Sequence, residues 1–116
     1  SDSEKGLTAS MVNNYVKHGY ISKPEKKKYQ RKQIARLIAI STLKSVFSIQ
    51  EIAQTLNTLQ TETNSEELYN AFVNYMNEDI DPANPIIRAS CQTVKLYHQT
   101  LALVYTETEE EETNEY

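Results

Sequence analysis

Between positions 17 and 36 the sequence holds eight of its twelve Lys and Arg residues: Lys17, Lys23, Lys26, Lys27, Lys28, Arg31, Lys32 and Arg36. The only acid in that window is Glu25. Such a cluster does electrostatic rather than covalent chemistry. Ammonium and guanidinium groups hold phosphate or carboxylate oxygens, arginine as a bidentate fork and lysine as a point charge. Just upstream lie Asn13 and Asn14, whose side-chain amides are of the type that can bond an adenine edge with two hydrogen bonds. His18 has no partner evident in the sequence and reads as a surface or ligand-facing side chain. The competing reading is a lysine-rich loop that is merely solvated.

The charge is segregated along the chain. Residues 1–36 hold nine Lys/Arg and three Asp/Glu, a balance of +6; residues 37–116 hold three and thirteen, a balance of −10, which together give the net −4. A basic surface needs only to be local to bind phosphates, because screening limits its reach to about 8–10 Å in physiological salt.

Other chemistries find little support. There is no G-x-S-x-G, no phosphate-binding glycine loop and no H-E-x-x-H, so no enzyme activity and no cofactor are expected. Cys91 and His98 lie seven residues apart on one expected helix, but two soft ligands do not make a tetrahedral site, and both read as helix-interface residues. Glu66 with Glu67, and Glu78 with Asp79 and Asp81, sit at helix ends, where acids cap or stay solvated. The stretch "NEDIDPAN" has neither the glycine nor the oxygen spacing of a calcium loop. No metal site is expected.

A chain of 116 residues with 39% hydrophobic residues supports one modest core. No run of about 18 apolar residues is present, so no membrane span is expected. No secretory leader is visible, and a single cysteine suits a reducing compartment, so the expected location is cytoplasmic. Position 1 is Ser rather than Met, so a processed or trimmed product is expected.

Glycine and proline are scarce, and 3.6-residue periodicity fills most of the chain, which predicts an all-α fold. "LTASMVNNYVKHGYI" predicts a short helix capped by Thr8 or Ser10 and stopped at Gly19, with Met11, Val12, Tyr15 and Val16 on its apolar face. "YISKPEKKKY" predicts a short hairpin or an irregular turn, its ends anchored by Ile21 and Tyr29. "QRKQIARLIAISTLKSVF" reads as one helix, apolar on most sides and therefore central. Ser48 with Glu51 and Asn64 with Glu67 are two capping boxes. The first opens a helix with Ile49, Ile52, Ala53, Leu56 and Leu59 inward, the second one with Leu68, Tyr69, Phe72, Val73 and Met76 inward. Asn84-Pro85 opens a last helix, in which Ile87, Val94 and Leu101 recur every seven residues and suggest packing on a facing helix. The tail "TETEEEETNEY" reads as disordered beyond its first residues.

The ordered set "NNYVKHGYI", "KKYQRKQIARLIAI" and "LKSVFSIQEIAQTL" resembles the MerR-type winged helix-turn-helix regulators. The stretch "MVNNYVKHGYI…KKKY" is similar to an uncharacterised family of low-GC Gram-positive bacteria usually described as MerR-like. The resemblance covers about 50 residues and implies a recognition helix around Tyr15. A basic wing over Lys23–Lys28 follows, then a helix opening at Tyr29 and a turn at Phe47-Ser48. It also implies a first helix upstream of Ser1, absent from this sequence.

The resulting expectation is an all-α, MerR-like helix-turn-helix core lacking its first helix, over residues 1–60. A helical extension over 61–106, for dimerisation or effector binding, and an acidic tail over 107–116 complete it. The expected function is a DNA-binding transcriptional regulator contacting double-stranded DNA through Asn13, Asn14, Lys17, His18, Lys23, Lys26, Lys27, Lys28, Arg31 and Lys32. A homodimer through the C-terminal helices is the further expectation. The alternatives are a helical protein-interaction module and a sensor of a small anionic ligand.

Overall fold

A computed structural model describes residues 6–114, and the side chains of residues 6–108. The first five residues, Ser1 to Lys5, and the final two residues of the tail lie outside the described residues. The fold is all-helical: α1 (Ala9–Lys17), α2 (Arg31–Leu43), α3 (Ile49–Gln60), α4 (Ser65–Glu78) and α5 (Pro85–Asn114). Among the described residues there is no named strand, only one antiparallel bridge between Glu25 and Lys28.

Local chemistry sets the helix starts. Thr8 Oγ1 accepts the Met11 N–H at 3.1 Å and caps α1. Ser48 and Glu51 form the reciprocal capping box of α3. A helix leaves its first N–H groups without intrahelical partners, and each such cap satisfies them for about 1 kcal/mol. At α4 only half of the expected box forms. Asn64 Oδ1 accepts the Glu67 N–H, but the Glu67 carboxylate accepts from Thr63 Oγ1 instead of reaching back to the cap backbone. Asn84 Oδ1 accepts the N–H groups of Ile86 and Ile87, and its amide donates to Glu62, tying the start of α5 to the α3–α4 turn.

One hydrophobic cluster holds all the elements together. Ile21, Ala39, Ile40, Leu43, Ile52, Leu56, Leu59, Leu68, Phe72, Ile87 and Val94 meet in it. The helix α2 is central, packing on α3, α4 and α5. Each fully buried Leu, Ile or Phe contributes about 1.5–3 kcal/mol of transfer free energy, so the core draws on residues before and after position 60 alike. The expectation of one helix apolar on most sides is corrected in part. Ala35, Ala39, Ile40 and Leu43 are buried, while Ile34 is 46% exposed. The helix also stops at Leu43 instead of running to Phe47. The N–H groups of Val46 and Phe47 both return to the Leu43 carbonyl, because Ser48 must turn outward to cap α3.

Further findings concern the C-terminal half. In α4 the buried aromatic besides Phe72 is Tyr75, while Tyr69 and Val73 are only half-buried. Asp79 ends the helix in the left-handed conformation at φ +56°. Its carboxylate pairs with Lys95, whose ammonium lies 4.1 Å from the centroid of the Tyr75 ring, clamping α4 to α5. The tail expected to be disordered continues α5 to Asn114. Extending a nucleated helix costs little per residue, and glutamate is a good helix former. Finally, Ile87 and Val94 of the seven-residue stripe are buried within this chain, so the facing helix there belongs to the same molecule. No helix among the described residues is long and apolar enough to cross a membrane.

Candidate nucleic-acid interface

The surface is assembled from α1, the loop that follows and the first turn of α2. The short helix α1 rests Tyr15 and Val16 against the core, which turns Asn13, Asn14 and Lys17 outward. The helix ends where Gly19 takes φ +77°, a conformation that costs an L side chain about 1 kcal/mol or more. Its neighbour His18 is exposed, its ring tilted against Tyr20 at 6.2 Å between centroids. Ile21, 2% exposed, then pins the loop into the core.

From Glu25 to Lys28 the chain forms a two-residue hairpin turn. Glu25 N–H donates to the Lys28 carbonyl at 2.9 Å, and Lys28 N–H donates to the Glu25 carbonyl at 2.8 Å. Between them Lys26 and Lys27 stand at φ +48° and +65°. Positive φ at both central positions is the signature of a type I′ turn, which asparagine and glycine occupy far more readily than lysine. The backbone therefore bears strain to carry two ammonium groups on the tip.

A buried amide positions this turn against α2. Gln33, 4% exposed, offers its Nε2 group at 2.9 Å to Ser22 O, Ser22 Oγ and Lys23 O. Its Oε1 accepts the Gln30 N–H at 2.6 Å. Gln30 in turn donates from Nε2 to the Glu25 carboxylate at 2.6 Å. The one acid in the basic window is thus held by a neutral amide and pairs with none of the lysines. Sequence reasoning missed Gln33. The available signal was a polar residue seven positions before Ile40, on the buried side of an otherwise apolar helix.

Arg36 leaves the cluster. Its guanidinium is half-buried, Nε donating to Tyr20 O and an NH2 group to Asn57 Oδ1, each at 2.8 Å. Burial lowers its pKa from the ordinary arginine value. It anchors the end of α1 to α2 and α3. The other seven, Lys17, Lys23, Lys26, Lys27, Lys28, Arg31 and Lys32, are exposed. Their side chains form no hydrogen bond or ion pair among the described residues. The structure therefore brings α1, Lys23, the lysine turn and the α2 start into one hydrogen-bonded unit whose charged tips are free. Asn13, Asn14 and His18 lie on the same unit.

The soft ligands do not meet. Cys91 is fully buried and desolvation pushes its thiol up to about 11, whereas His98 is exposed with its ring edge on Tyr97. Among the described residues no group of three or more His, Cys, Asp or Glu side chains is placed to hold a metal ion.

Residues 1–77 match the family described as Domain of unknown function (DUF1836). The chain belongs to this family. The matched stretch contains α1, the lysine turn, α2, α3 and all of α4 but its last residue, and leaves α5 outside. No curated protein and no solved structure matches the chain.

Proposed function

We propose that this chain is a DNA-binding transcriptional regulator with a MerR-like winged helix-turn-helix core, acting in the cytoplasm. The observation that carries the reading is the strained turn. Two lysines occupy left-handed positions that favour Asn and Gly, at the tip of a hairpin pinned to α2 by Gln33 and Gln30. Strain retained at an exposed position is a mark of function more than of solubility, since a soluble turn needs no strain. In this reading Lys26, Lys27 and Lys28 form the wing and contact phosphates with Arg31, Lys32, Lys23 and Lys17. The α2 start adds its unpaired backbone N–H groups and the positive end of its dipole. Phosphate contacts fix register; Asn13 and Asn14, on the outward face of α1, read base edges, with His18 beside them.

The partner in this reading is double-stranded DNA bound by a homodimer. Beyond the core, α5 exposes Leu96 (64%), Leu103 (66%) and Tyr105 (61%), with Val104 alongside. Leu96 and Leu103, like Tyr97 and Val104, are seven residues apart, the spacing of a helix seam. A second copy on that seam sets two basic surfaces on one duplex, the arrangement by which helix-turn-helix dimers select symmetric sites.

The test is fluorescence anisotropy of labelled duplex DNA across a salt series, with the parent chain and a Lys26→Glu, Lys27→Glu, Lys28→Glu variant. Affinity should fall with salt at about 0.9 log units per phosphate contacted, and the variant should lose most of it. Salt-independent binding, or binding unchanged in the triple variant, removes the lysine turn from the interface.

A further inference from the structure

The helices α2 and α4 leave a groove of about 620 Å³ between their first turns, the size of a small-molecule site. From α2 it is lined by Ile34, Ala35 and Ile38, and from α4 by Tyr69, giving it an apolar floor; Ile34 is the most open of these at 46% exposure. Arg31 and Lys32 stand on the same lining, as does Glu66. None of these three charges makes a hydrogen bond or ion pair among the described residues. Cations and an acid that share a groove without pairing leave their solvation to be exchanged for a ligand's.

The composition of the groove specifies the occupant. Two cations against one carboxylate leave a single positive charge, which fits a monoanion and disfavours a dianion such as a phosphate monoester. The apolar floor calls for a hydrocarbon body, which a nucleic-acid backbone does not supply. We propose that the α2–α4 groove binds a small amphipathic monocarboxylate, its carboxylate on Arg31 and Lys32 and its apolar body over Ile34, Ile38 and Tyr69. Arginine and lysine give the acid charge-assisted hydrogen bonds, and burial of the body supplies the non-directional part of the affinity. The site stands on the groove alone. Its regulatory consequence rests on the DNA-binding reading: Arg31 and Lys32 serve both ligands, so carboxylate and DNA compete, and each weakens the other by the same factor.

The probe is octanoate below its micelle concentration, followed by amide-resolved NMR on the whole chain, with octan-1-ol as the uncharged control. Saturable shifts confined to residues 31–38 and 64–70 are expected. Binding should be about tenfold weaker for octan-1-ol and for an Arg31→Gln, Lys32→Gln variant, the worth of a charge-assisted hydrogen bond. An Ile34→Lys variant, at a position too exposed to disturb the core, should bind neither probe while keeping the parent's circular dichroism. No saturable shift, equal binding of acid and alcohol, or shifts centred on α5 would each overturn the site. Octanoate is then titrated into the DNA complex, where a rising DNA dissociation constant is expected and simultaneous binding overturns the competition. Octanoate binding by a chain that shows no affinity for DNA would sink the DNA reading and leave the groove intact; DNA binding without octanoate binding would do the reverse.

Discussion

Replacing Lys26→Asn and Lys27→Gly should make the protein more stable and a poorer DNA ligand at once. Both positions hold positive φ, +48° and +65°, where an ordinary L residue loses about 1–2 kcal/mol relative to its preferred conformations. Asn tolerates that region and Gly enters it freely, although Gly gives back about 0.5–1 kcal/mol through a more disordered unfolded chain. The net gain is about 1–2 kcal/mol, or about 5 °C in Tm for a domain of this size. The same change removes two charges from the tip. If both lysines contact phosphate, the log–log salt slope of DNA binding shrinks by about 1.8. Thermal unfolding by circular dichroism reads the first effect, and anisotropy at several salt concentrations reads the second. A Lys26→Gln, Lys27→Gln control separates strain from charge: it keeps the strained backbone while losing the ammonium groups, so it should lose affinity without gaining stability. A rise in Tm with unchanged DNA affinity would refute the functional reading of the strain. A fall in Tm in the Asn-Gly variant would refute the turn argument itself.

Three other outcomes are expected. Gln33→Ala should cost about 2 kcal/mol by urea denaturation, because it orphans the carbonyls of Ser22 and Lys23 and the Gln30 N–H; a loss under half a kcal/mol by the same measure (~0.5) would mean that water replaces the amide. Leu96→Glu with Leu103→Glu should turn a dimer into a monomer in sedimentation velocity, since both side chains are exposed in the single chain, and unchanged mass would put the seam elsewhere. Cys91 should make stability fall in alkali. Its thiol is raised to about 11 when folded and reverts to about 8.5 when unfolded. The folded state therefore binds more protons between those values, and the stability is full below the unfolded pKa and lost as pH rises through the window. The loss, of about 3 kcal/mol, should vanish in Cys91→Ala when urea midpoints are compared from neutral pH upward.

Much of the fold is legible in the residues because it depends on near neighbours. Thr8, Ser48 and Asn84 sit just before apolar-periodic runs, and a cap acts within three residues of itself. The period of "IQEIAQTL" announces α3 for the same reason. The helix α5 running to Asn114, against the expectation of disorder, shows the limit of composition: a glutamate run is low in complexity yet favourable for extending a helix already nucleated. Of the candidate interface, the charges were visible and their placement was not. Nothing near Arg36 reveals that it faces Tyr20 O and Asn57 rather than solvent.

By itself the sequence determined the all-helical class, the helix starts and the concentration of cations between Lys17 and Arg36. Each follows from short-range periodicity, capping chemistry or simple composition. Tertiary structure alone decided which of those cations are free. It withdrew Arg36 into a contact across α1, α2 and α3, joined Glu25 to Gln30, and buried Gln33 to hold the lysine turn. It also chose Ile87 and Val94 for the core while leaving Leu96 and Leu103 outside. These outcomes depend on which surfaces meet when α2 is enclosed by three helices, a property of long-range packing that no local pattern of residues carries.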